Sequence, residues 1–203
     1  ALAKLSGGYR DIVGGLPSEA LHLLTGWPCT TIDLATVLEL GVTGGTSGVG
    51  TRGAGPRGTM DVDMLWVTLL SALEAQAITC ASSLSDEATC AAVGLVPCHA
   101  YAITRVHDVT DPETGAEHRL LQLRNPHGAR EWQGDWSDHS RQWTPILRSA
   151  LDVVSADDGV FWMCLRDFLR YFRSCTICQI HDDWAEARVA GGGGGPPFPP
   201  APG

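Results

Sequence analysis

Hydrophobic and polar positions change their spacing along the chain, and each change marks a different kind of element. From Asp61 to Gln76 the apolar residues Val62, Leu65, Trp66, Leu69, Leu70 and Leu73 recur at intervals of three and four. That is the signature of a helix with one buried stripe, and Asp61 stands where its N-cap belongs. A shorter helix is predicted over residues 17–24, with Pro17 in its first turn, Glu19 near its start and Gly26 just past its end. The pattern then turns to strands. Residues 77–80 read as a buried strand, 99–109 are dense in β-branched and aromatic residues, and 119–125 set Leu against polar positions. The Asp-Pro and Thr-Gly turn signals within 110–117 predict that the last two form a hairpin. Residues 159–165 and 175–180 read as further strands. Between them a short amphipathic helix over 166–173 turns Phe168, Leu169 and Phe172 inward.

Composition narrows the class. With 203 residues, 44% of them hydrophobic and 18% charged, the chain is long enough for one large domain or two small ones and too apolar to be mainly disordered. Fourteen Lys and Arg against twenty-three Asp and Glu leave a net charge of -9, which disfavours a nucleic-acid partner. Every apolar run is soon broken by a charge or a Gly, well short of the roughly 18 residues a membrane span needs. Two stretches depart from this average. Residues 41–58 hold eight Gly and read as a surface loop, and residues 191–203 are a Gly/Pro-rich tail expected to be disordered. The chain begins Ala1-Leu2-Ala3-Lys4 without a Met or a signal core, which reads as a segment cut from something longer. Seven Cys, an odd number set mostly among apolar neighbours, point to free thiols in a reducing, cytoplasmic setting.

Candidate chemistry comes from the hairpin. Facing residues of an antiparallel pair sum to a constant, and a turn centred near Pro112 or Glu113 sets His99 opposite Asn125, give or take a bulge. An amide oxygen beside an imidazole fixes its tautomer and leaves the other ring nitrogen to accept a proton from a nucleophile, as in cysteine proteases. From spacing alone, an ordinary His–Asn bond across a sheet fits as well.

The surroundings of the pair carry more. His99-Ala100-Tyr101, Arg124-Asn125-Pro126-His127-Gly128, Glu131-Trp132 and Trp136-Ser137-Asp138 resemble the calpain cysteine-protease core in order and spacing. Asp158-Gly159-Val160-Phe161-Trp162-Met163 and Arg166-Asp167-Phe168 are similar to its closing strand and helix, and Leu5-Ser6-Gly7-Gly8-Tyr9 to the exit from the first protease subdomain. Cys178-Gln179-Ile180-His181-Asp182-Asp183-Trp184 is similar to the small-optic-lobes branch of that family. The resemblance implies an α+β, papain-like core, mainly the β-barrel-like second subdomain with short helices. Residues 1–26 would end the first subdomain and cross over, 27–190 would form the second, and 191–203 would be the tail. It implies intracellular cleavage of proteins or peptides, with His99 as general base, Asn125 as its orienting residue, and Trp132 and Trp136 packed near the pair to wall the cleft.

Three departures bear on activity. The family sets its nucleophile in a Gly-x-Cys-Trp context, and none of Cys29, Cys80, Cys90, Cys98, Cys164, Cys175 or Cys178 precedes a Trp. Cys98 adjoins His99, but neighbouring strand residues face opposite ways. The thiol is therefore expected from a missing Cys-containing subdomain, with this chain inactive alone. His127 stands where the family usually has a Trp that shields the His–Asn bond. No covalent cofactor is implied, but calcium is, on Glu131, Asp138, the segment of Ala156 and Asp158, and the position of Val160, where the family offers a carboxylate; solvated loop acids are the plainer reading. The other function class consistent with these departures is a non-catalytic, calpain-like module that binds protein partners. Two weaker signals are the Cys175-x2-Cys178 spacing with His181, a poor start for a zinc site, and Arg166, Arg170 and Arg173 along one helix face.

Overall fold

The computed structural model describes residues 7–12, 14–37 and 60–180. The Gly-rich stretch at 41–58, the tail at 191–203 and His181 lie outside them. After a 3-10 turn at Tyr9–Ile12 come α1 (Pro17–Thr25), β1 (Cys29–Asp33), α2 (Val62–Glu74), β2 (Ile78–Ser83), α3 (Glu87–Ala91), β3 (Ala100–Thr110), β4 (Glu117–Arg124), α4 (Pro145–Ala150), β5 (Val160–Cys164), α5 (Leu165–Tyr171) and β6 (Phe172–Cys178). Three of these helices, α2, α3 and α4, begin where a side chain satisfies a free N–H group. Asp61 accepts from Met64 N at 2.7 Å, Asp86 from Thr89 N at 2.7 Å, and Thr144 from Leu147 N at 3.2 Å. Gly26, left-handed at φ 76°, ends α1. Arg173 falls in β6, so the predicted row of three Arg on one helix is not formed.

Six strands form one sheet in the order β1-β6-β2-β3-β4-β5, with every neighbouring pair antiparallel. This is the expected α+β architecture, and its alternation sorts side chains into two cores. Leu121, Leu123, Phe161 and Met163 join Leu65, Trp66 and Leu69 of α2 in the larger one. Leu120 and Trp162 point the other way and pack with Trp136, Trp143, Leu147 and Leu151 in a smaller one. Both faces of the β4–β5 half are thus covered, and the catalytic candidates sit at the end of this half.

The hairpin forms, but its register differs from the sequence expectation. Thr110 pairs with Glu117 and Arg105 with Gln122, and beyond a bulge at Thr104 Ala102 pairs with Arg124. The turn centre falls between Glu113 and Thr114. Extended past the ladder, this register faces His99 with His127, not with Asn125.

Candidate active site

Asn125 follows β4 and is fully buried. Its backbone N–H bonds Gly159 O at 2.7 Å, continuing the β4–β5 ladder by one rung. The side-chain Nδ2 donates to Ala129 O at 2.5 Å and Arg130 O at 3.1 Å. These two carbonyls fix the amide's orientation, so Oδ1 must face the other way, where it meets His99 Nε2 at 2.9 Å. Because Oδ1 can only accept, Nε2 carries the hydrogen and Nδ1 is left free. Oδ1 also accepts the His127 backbone N–H at 3.0 Å. The pair is therefore brought together although the ladder does not set it face to face.

His127 occupies the place that register assigns to it. Its ring lies 4.4 Å from that of His99, tilted by 38°, and is exposed on its outer side. Tyr101 meets His99 edge-on at 5.0 Å. Close backbone approach holds the far side of Asn125: Gly159 has φ 83°, and a Cβ there would stand 2.8 Å from Asn125 O. Any other residue at Gly159 would displace the strand that carries Asn125.

Glu131 ties the same loops together. Its Oε1 accepts the N–H groups of Asp158 at 2.9 Å and Gly159 at 2.7 Å. Asp138 accepts from Ala156 N at 3.0 Å. Both carboxyls are raised above their ordinary range, chiefly by burial; Asp138 and Asp158 add to the rise of Glu131, and Asp158 to that of Asp138. Glu131 and Asp138 border a hollow of about 610 Å³. Hard oxygen donors suit calcium, but the three acids do not assemble as a ligand set. Asp158 Oδ1 turns to the N–H of Val160 at 2.9 Å, and among the described residues no three metal-ligating side chains converge. The residues present do not fit the ion as they stand, because they do not converge and one oxygen of each carboxylate is turned to a backbone N–H.

All seven cysteines are free. Burial pushes Cys80 and Cys164 up to about 11 and Cys175 to about 12, and it raises Cys90 as well. Such thiols stay protonated at neutral pH, the reverse of what a nucleophile needs. Cys98 is exposed and sits in a turn at φ 48° rather than in a strand, so strand alternation does not apply to it. No hydrogen bond joins its thiol to His99 among the described residues. Cys175 and Cys178 are both buried in β6, three residues apart and thus on opposite faces, so they do not open a zinc site.

Trp132 and Trp136 both pack into the cores. Trp132 is 4% exposed in the larger core, donating Nε1 to Asp135 O at 2.7 Å and packing 5.0 Å from Tyr171. Trp136 belongs to the smaller core beside Trp143. Trp132 borders the hollow beside Glu131 and supports the loop whose carbonyls hold Asn125, and Trp136 borders a second hollow beside His118 and Arg119. Sequence reasoning missed those carbonyls, since backbone atoms leave no residue-type signal, and it missed Ser83, whose hydroxyl accepts the His99 N–H at 3.0 Å.

Comparison with known proteins shows the family. A family model described as calpain family cysteine protease matches residues 1–179. The chain is 33% identical to calpain-5 of Mus musculus over 94% of its own length, and 33% identical to the calpain-type cysteine protease ADL1 of Oryza sativa subsp. japonica over 89%. It is also 33% identical to the calpain-1 catalytic subunit of Rattus norvegicus over 93%. It spans only 31%, 7% and 24% of those proteins respectively. With the family model covering most of its residues and a histidine, an asparagine and their supporting loops held in one hydrogen-bonded unit, this chain belongs to the calpain family of cysteine proteases.

Proposed function

We propose that this chain supplies the base half of a calpain-type cysteine endopeptidase of the small-optic-lobes branch. Residues 1–26 end the Cys-bearing subdomain and residues 27–190 form the second one. The observation that carries this reading is the 2.9 Å bond from His99 Nε2 to a fully buried Asn125, which leaves Nδ1 free. In the reaction, Nδ1 takes the proton of a cysteine thiol delivered by the other subdomain. The thiolate attacks the peptide carbonyl, the imidazolium returns the proton to the leaving amine, and a water activated by the same nitrogen hydrolyses the thioester. Asn125 holds the tautomer and orientation throughout. The setting is cytoplasmic and the substrates are proteins or peptides. Among the described residues no helix is long and apolar enough to cross a membrane. Apolar side chains exposed at the N-terminal end, Tyr9 at 85% and Leu24 at 84%, offer a surface for the Cys-bearing subdomain.

A second reading is a calpain-like module that binds partners without cutting them. The exposed His127 beside His99 favours it. Turnover of a fluorogenic peptide by this chain joined to its Cys-bearing subdomain, with and without calcium, separates the two. We expect turnover that His99→Ala abolishes; a folded, reconstituted core with none supports the binding module.

A further inference from the structure

We propose that Ser83 and Tyr101 are positioning residues for His99: two buried hydroxyls that clamp the turn delivering the imidazole to Asn125. This rests on the protease reading for its purpose but not for its geometry. The turn Val96-Pro97-Cys98-His99 is short and bent, with Cys98 in the left-handed region at φ 48°. A β-branch-free residue in that region still relaxes toward negative φ unless its neighbours hold it.

Ser83 holds one end. Its Oγ accepts the His99 N–H at 3.0 Å and donates to Val96 O at 2.6 Å, with His99 O also in reach at 3.2 Å. Tyr101 holds the other, its OH accepting the Val96 N–H at 2.8 Å. Backbone bonds from Ser83 N to His99 O and from Cys98 N to Leu84 O, both 2.9 Å, close the turn against β2.

Two features set these hydroxyls apart from ordinary core hydroxyls. The first is a register shift between Ser82 and Ser83 in the β2–β6 pairing, where Ser82 faces Ser174 but Ser83 faces Phe172. Such irregularities re-aim a side chain, and this one coincides with the residue that meets the His99 turn. The second is rigidity. Tyr101 is fully buried, with its ring set edge-on to Phe161 and Phe172 at 5.8 and 5.4 Å. Its hydroxyl is thus a fixed point rather than a mobile one, and the same ring abuts the imidazole at 5.0 Å. A clamp of this kind keeps Nε2 within bonding distance of Oδ1, the tolerance on which proton transfer depends.

The test uses Ser83→Ala and Tyr101→Phe, each removing one hydroxyl. Thr79→Val is the control, because Thr79 is buried on β2 and donates to Ile103 O at 2.8 Å, away from the His99 turn. The first readout is nuclear magnetic resonance of the His99 ring in this chain, which requires no nucleophile. We expect the Nε2–H proton to exchange about tenfold faster in Ser83→Ala and in Tyr101→Phe than in the wild type and in Thr79→Val, about the factor that the net contribution of one hydrogen bond corresponds to. Wild-type exchange in both variants, or equal acceleration by Thr79→Val, overturns the positioning role. In the reconstituted enzyme the two variants should lower kcat about tenfold with KM nearly constant, whereas loss of KM alone overturns it. The ring signal decides the proposal even if no assembled form turns over, so failure of the clamp is distinguishable from failure of the protease reading.

Discussion

His127 lies 4.4 Å from the catalytic candidate with one face in water, and this places a polar ring where a larger apolar one would exclude solvent. Asn125 Oδ1 is buried and serves both His99 Nε2 and the His127 N–H, so the side of the bond that a larger ring would shield is the half-buried His99. A drier bond holds its tautomer more firmly. Strengthening it by about 1 kcal/mol corresponds to about fivefold in rate, so His127→Trp is expected to raise kcat of the reconstituted enzyme by about that factor. Equal rates would remove the shielding argument. The residue scale is also where sequence reading went furthest, because His and Asn announce their chemistry by type. The Ala129 and Arg130 carbonyls and the Ser83 hydroxyl act through position alone and carry no such mark.

Among the elements, α2 was legible from its stripe and its cap, and α1 from its Pro and Gly punctuation. Replacing the cap, Asp61→Ala, removes the bond to Met64 N and should cost about 1 kcal/mol; a urea midpoint unchanged from wild type would contradict it. Three short elements escaped the periodicity. β1 is only five residues, though its Thr30, Thr31 and Ile32 are β-branched; α3 and α4 are single turns signalled by Asp86 and by Thr144-Pro145 alone. The hairpin shows the deeper limit. Its strands were evident, but the bulge at Thr104 and the longer turn are properties of backbone conformation, so the register was displaced while the His99–Asn125 contact was still found. The contact survives because both residues lie beyond the β3–β4 ladder, where Asn125 is held by β5 and its own loop and His99 by β2.

At the scale of the whole molecule, burial of the thiols makes stability depend on alkaline pH. Thiols of the unfolded chain ionise near 8.5, whereas Cys80 and Cys164 titrate at about 11 and Cys175 at about 12 in the fold. Between those values the unfolded state has released protons that the folded state retains. The thiol contribution to stability is therefore level below about pH 8.5 and falls as pH rises toward the folded values. Thermal melts at pH 7.5 and pH 10 should show a lower Tm at the higher pH, with a smaller drop in Cys175→Val; a drop of equal size in that variant would refute the assignment. The two-core arrangement has a spectroscopic consequence. Trp136 and Trp143 lie 4.8 Å apart and nearly perpendicular, with Trp162 a further 6.3 Å from Trp143. Indoles this close couple their electronic transitions and pass excitation among themselves. All three belong to the smaller core, which contains neither His99 nor Asn125. The coupled part of the ultraviolet signature thus follows the integrity of the layer behind β4 and β5, whereas Trp132, in the larger core, is the indole nearer the loop that holds Asn125.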